Sequence, residues 1–190
     1  MPLTTPRTRK RIDEGKIERA VELLLEGLGV DLKDHNYLET PERVARMYME
    51  MFGPKEREWA TFEEEFTDFI LLKGHTLYGL CPHHLLPVEL HISLAYIPNG
   101  HVLGLSKLAR ICDEVNTGPM LQERFTVEVL SRLEELCPGI RGAACLIDGQ
   151  HGCTKVRGIR SDGRFTTYRL SGVFKEDPAL EERFFVLARR

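Results

Sequence analysis

Cys81, His83 and His84 stand together around Pro82, and His151 and Cys153 form a second cluster far along the chain. A thiolate and an imidazole three residues apart, as Cys81 and His84 are, can meet one metal ion from a tight turn or a strand end. Cysteine with histidine, appearing twice, suits Zn²⁺, which takes sulfur and imidazole nitrogen tetrahedrally. Spacing alone leaves two arrangements open. With Cys81, His84 and Cys153 as ligands, the fourth position is left to a water whose pKa zinc brings to about 7. His83 and His151 are then free to move protons, since imidazole changes charge near neutral pH. With Cys81, His84, His151 and Cys153 all ligating, the site is closed and only pins two loops together. Cys112, Cys137 and Cys145 read as core residues.

A group of cations accompanies these clusters. Gly104-Leu105-Ser106-Lys107 precedes a helical pattern, so Ser106 and Lys107 fall near a helix N-terminus, where free N–H groups and the dipole attract phosphate. Arg110 extends that face by one turn, and Arg157 joins it if the intervening strands bring it there. The plainer reading of the same residues is a surface helix with ordinary cations.

The elements that must position these residues follow from periodicity. Ile17, Ala20, Val21, Leu24 and Leu28 recur at helical spacing over 11–28, with Gly29 behind them. Thr40-Pro41, a hydroxyl N-cap and a first-turn proline, opens a second helix running to Met51 before Gly53-Pro54. Residues 54–67 are polar and acidic and read as a connection. Val88, Leu90, Ile92, Leu94 and Tyr96 then alternate with their neighbours, which is the period of a strand, and Pro98-Asn99-Gly100 turns the chain. Helices are expected over 105–115 and 120–136, separated by Gly118-Pro119. Strands are expected over 143–147, 153–159 and 165–173, and a closing helix over 178–187. Helices, strands, helices and strands in that order indicate an α+β fold with an antiparallel sheet.

A chain of 190 residues with 42% hydrophobic content supports one ordinary core behind a small helical appendage. The 29% charged fraction, the formal net charge of -3 and the lack of a basic tract point away from nucleic acid and toward small molecules. No run approaches the roughly 20 apolar residues of a membrane span, and Met1 to Lys10 lacks the apolar stretch of a signal peptide. Five cysteines, an odd number, fit a reducing compartment, so a cytoplasmic location is expected.

Six ordered motifs carry a resemblance. Cys81-Pro82-His83-His84-Leu85-Leu86-Pro87, Ala95-Tyr96-Ile97-Pro98, Gly104-Leu105-Ser106-Lys107, Gln122-Glu123-Arg124-Phe125-Thr126, His151-Gly152-Cys153 and Arg157-Gly158 are similar in order and spacing to GTP cyclohydrolase I. The likeness covers about Ala20 to Phe174 and takes in Thr40-Pro41-Glu42-Arg43. It implies a helical hairpin over 1–55 and a tunnelling-fold catalytic domain over 56–190. In that fold, antiparallel sheets of several subunits close a barrel, typically in a toroidal decamer with sites between subunits. It implies opening of GTP at C8, release of formate and formation of 7,8-dihydroneopterin triphosphate. Carried over, Cys81, His84 and Cys153 are the zinc ligands and His83 and His151 the proton-transfer pair. Glu123 with Gln122 anchors the guanine edge, Lys107, Arg110 and Arg157 hold the triphosphate, and Ser106 approaches the ribose. Arg43 reaches in from a neighbouring subunit.

The chain also departs from the family. Pro82 stands where glutamate is frequent, Asn116-Thr117-Gly118-Pro119 lacks an arginine, and Thr166 to Ser171 replaces a threonine and serine run. These changes bear on substrate and on extent of reaction. The alternatives they keep in view are a paralogue that opens a related purine nucleotide or stops at the formamide, and a catalytically silent nucleotide- or pterin-binding subunit with structural zinc.

Overall fold

In the computed structural model of this chain, residues 12–55 and 58–189 are described. The polar N-terminal stretch read above, residues 1–10, lies outside them. The chain divides into two compact units, Met1–Lys55 and Glu56–Arg190. Among the described residues no helix is long and apolar enough to cross a membrane.

The first unit holds two packed helices, α1 (Glu14–Gly27) and α2 (Thr40–Phe52). Asp13 caps α1, its carboxylate accepting from the Lys16 N–H at 3.0 Å, which satisfies one of the four free donors at a helix start. Gly29 follows at a φ of 78°, a conformation that suits glycine. Thr40 is the first residue of α2 and Glu39 its cap, one position earlier than the hydroxyl-cap reading. Pro41 still falls in the first turn, where its missing N–H costs nothing.

The second unit is built on a four-stranded antiparallel sheet in the order β2-β3-β5-β6: β2 is Ile70–Leu80, β3 Pro87–Ile97, β5 Gly142–His151 and β6 Phe165–Gly172. A two-stranded sheet pairs β1 (Thr61–Glu63) with β4 (His101–Leu103). The α+β class with an antiparallel sheet is as expected. The sheet does not close on itself, and β2 and β6 are its edges.

The alternation of β3 has the expected consequence. Val88, Leu90, Ile92, Leu94 and Tyr96 are buried in one core with residues of α3 (Ser106–Val115) and α4 (Gln122–Leu136). Ala95 and Ile97 point the other way, into a second core with Phe174 and Phe184, which α6 (Val173–Glu176) and α7 (Pro178–Arg189) supply. Each fully buried large aliphatic or aromatic side chain contributes about 1.5–3 kcal/mol relative to exposure.

Two expectations fail. Residues 54–67 include the short strand β1, and β2 follows them with no strand foreseen there. Its alternation is broken by a register shift between Leu72 and His75, with Gly74 at a φ of 62°. The strand expected over 153–159 is instead the short helix α5 (Gly152–Lys155) followed by irregular chain. The Val156 N–H donates to Gly152 O at 3.0 Å and the Thr154 hydroxyl to His151 O at 2.9 Å. These local bonds outcompete an extended ladder.

Candidate functional site

Sheet register brings the two Cys/His clusters together. Leu80 at the end of β2 is opposite Pro87 at the start of β3, and Val88 is opposite His151 at the end of β5. The segments leaving β2 and β5 therefore flank the same end of β3. Cys81 heads a tight turn in which its N–H donates to Leu86 O and its O accepts from the Leu85 N–H, both at 2.9 Å. Beyond β5 the chain passes so close to β3 that a Cβ on Gly152 would lie 2.8 Å from Pro87 O. Only glycine fits there, and it delivers Cys153 beside Cys81.

Donor atoms of Cys81, His151 and Cys153 all lie within 4.8 Å of one another. Burial and then the neighbouring Cys81 sulfur push the Cys153 thiol up. Two sulfurs and an imidazole are soft donors, and this set fits a thiophilic divalent ion. His83 joins the margin of the group, its Nδ1 3.7 Å from Cys81 Sγ. His84 points elsewhere. Its Nε2 lies 2.7 Å from Arg157 Nη1, and since a guanidinium only donates, Nε2 presents its lone pair to a cation.

A cavity of about 320 Å³ surrounds the group, lined by residues that include Cys81, His83, Gln122, Glu123, His151 and Cys153. Gln122 and Glu123 come from the first turn of α4, which the Met120 N–H ties to Leu80 O at 3.0 Å. Burial lowers the His151 pKa, while the charge of Glu123 works the other way. The imidazole is further held by an edge-to-face contact with Phe165, ring centroids 5.6 Å apart, and by Gln122 Oε1, 2.8 Å from Nε2.

A family model described as GTP cyclohydrolase I matches residues 17–189. The chain belongs to the GTP cyclohydrolase I family. A relative named GTP cyclohydrolase 1 from Clostridium perfringens (strain ATCC 13124) is 41% identical over 182 residues, 92% of this chain and 97% of that one. Another of the same name, from Aquifex aeolicus, is 41% identical over 94% of this chain and 98% of its own. Among solved structures, the archaeosine synthase QueF-Like in the apo form is similar over 57% of this chain and 97% of that one, with a TM-score of 0.48 and 17% identity.

Of the other residues singled out by likeness to the GTP cyclohydrolase I family, Ser106, Lys107 and Arg110 are not gathered here. Lys107 is buried and its Nζ donates to Glu58 O at 2.6 Å. Ser106 and Arg110 are exposed, and none of the three lines the cavity. Arg43 lies in the first unit, paired with Glu39 at 2.5 Å. Sequence reasoning also passed over Thr126 and Thr167, whose hydroxyls are 2.7 Å apart behind Gln122. The only signal was that two hydroxyl residues stood in motifs already flagged, and nothing in their spacing pairs them.

Proposed function

We propose that this protein is a zinc-dependent GTP cyclohydrolase I, opening the imidazole ring of GTP at C8 and releasing formate on the way to 7,8-dihydroneopterin triphosphate. The observation that carries the reading is the Cys81, His151 and Cys153 group in a cavity that Glu123 also lines, in a chain matched by the family model over 17–189. Cys81 and Cys153 would hold the zinc with His84, whose Nε2 lone pair faces the Arg157 cation in this structure. A zinc ion there supplies Lewis acidity strong enough to bring water's pKa near neutrality.

The chain's own residues do the rest. Glu123 accepts from the N1–H and the exocyclic amine of guanine, a pair that adenine does not offer. His151, whose charged form burial disfavours, takes a proton at the reacting carbon's side, and His83 exchanges one with solvent. Arg157 and the Ser106, Lys107 and Arg110 helix start bind the triphosphate. Because the latter three stand apart from the cavity, they serve the site of a neighbouring copy in a cytoplasmic homo-oligomer, a toroidal decamer in which Arg43 also reaches across.

A second reading has its own observation: His151, not His84, is grouped with the two cysteines. The test is to measure zinc and formate on the purified chain and two variants. His84→Ala should lose zinc, whereas His151→Ala should keep it, still bind GTP and lose activity by about 10²–10⁴-fold. Zinc lost from His151→Ala and kept by His84→Ala would establish the second reading. Wild-type protein that binds GTP and never yields formate would overturn both in favour of a silent subunit.

A further inference from the structure

Gln122 is 4% exposed, and its partners leave its amide no choice of orientation. Nε2 lies 2.7 Å from Phe165 O and 3.2 Å from Ile147 O. Backbone carbonyls only accept, so the NH₂ end faces them. Oε1 must then be the end turned to His151 Nε2, 2.8 Å away. Because Oε1 only accepts as well, His151 carries a proton on Nε2, and the lone pair of the neutral ring is then on Nδ1.

Two hydroxyls brace this amide with an equally determined direction. Thr126 Oγ1 donates its one proton to Gln122 O at 2.8 Å. In the 2.7 Å contact between the threonines, Thr167 is therefore the donor, and its oxygen accepts from Gln122 Nε2 at 3.1 Å. The two amide protons of Gln122 are shared among Phe165 O, Ile147 O and Thr167 Oγ1, and the direction of each contact is fixed. Gly149 completes the cradle, since a Cβ there would stand 2.2 Å from Gln122 Oε1.

We propose that Thr126 and Thr167 are positioning residues that hold the Gln122 amide against His151 and so fix the orientation and tautomer of that imidazole. Gln122 thereby serves His151 in place of the guanine edge. The effect on turnover rests on the cyclohydrolase reading above; the hold on the imidazole does not.

The test uses the zinc-loaded full chain with Thr167→Val, Thr167→Ser, Thr126→Val and the double valine variant. Thr167→Val should lower kcat about tenfold with KM for GTP and zinc content unchanged, and Thr167→Ser should restore kcat. The double variant should be no worse than Thr167→Val, because the two hydroxyls act as one unit. A serine variant as impaired as the valine one would mean that packing alone matters, and a raised KM at unchanged kcat would put Gln122 on the guanine. Either result overturns the proposal. Crystal structures of wild type and Thr167→Val provide a readout independent of turnover: Gln122 Oε1 should leave His151 in the variant, and a retained contact overturns the proposal. If wild type released no formate, the cyclohydrolase reading would fall while this comparison still decided the brace.

Discussion

Gly149 sits opposite Leu90 in the β3–β5 register, and a methyl group there would lie 2.2 Å from Gln122 Oε1 and 3.0 Å from Leu90 Cδ2. A free glutamine would swing aside at little cost, but this one is held by two carbonyls, the Thr167 hydroxyl and His151. Gly149→Ala should therefore destabilise the fold by about 1–3 kcal/mol, the usual range for overpacking, seen as a lower urea midpoint at unchanged slope. An unchanged midpoint would show that the amide moves freely. Glu123, on the same helical turn, is expected to decide base selectivity. Glu123→Ala should cost GTP on the order of tenfold to a hundredfold in affinity and leave ATP unaffected, which competition binding would measure. Equal weakening of both nucleotides would assign Glu123 a role other than reading guanine.

At the scale of elements, α7 is fastened to the start of β2 by a bidentate pair. Arg183 Nη1 and Nη2 lie 3.2 and 3.1 Å from the two oxygens of Asp68, and the guanidinium stacks 5.1 Å from the centre of the Phe69 ring. The Phe69 N–H and then Arg183 hold the Asp68 carboxyl below its ordinary value. A carboxyl whose folded pKa is depressed stabilises the fold above its unfolded pKa, about 3.9, and loses that contribution as pH falls through the folded value. Asp68→Asn should thus melt lower than wild type near neutrality, and the two melting curves should converge in acid. A gap that persisted at low pH would mean that the carboxylate charge is not what docks α7. The apolar part of the same docking is larger: Phe184 is fully buried against Phe174, and Phe184→Ala should cost about 3–5 kcal/mol.

For the whole molecule, the question is where the cations proposed to bind a triphosphate act. Ser106 and Arg110 are exposed and do not line the Cys/His cavity, while among the described residues β2 and β6 leave both edges of the main sheet without a strand partner. Both features suit sites completed by another copy of the chain. Arg110→Ala and His151→Ala should each be nearly inactive alone. If sites are shared, co-expressing them should restore part of the wild-type rate, because mixed assemblies contain some sites that carry neither change. Mixed assemblies, verified by mass, with no recovered activity would show that each chain builds its own site.

The sequence by itself determined whatever depends on near neighbours. Period-two alternation identified β3, period 3.6 identified α1, α3 and α4, and the soft donors Cys81 and Cys153 with their histidines marked a candidate metal site. Tertiary structure decided the rest. β2 was illegible because a register shift at Leu72 and His75 breaks its alternation, and the hydrogen bonds that make it a strand come from β3. Cys153 was misread as a strand residue because Gly152, pressed against Pro87, turns the chain into a helical coil there. Which imidazole lies nearest the two sulfurs depended on the β3–β5 register, and the hydroxyl of Thr167 stands behind Gln122 through the β5–β6 register. That register sets Thr167 opposite Ile147, whose carbonyl Gln122 also reaches. A hydrogen bond between residues 45 apart in sequence, such as Gln122 to Thr167, leaves no trace in local spacing, because its geometry exists only once the strands have paired.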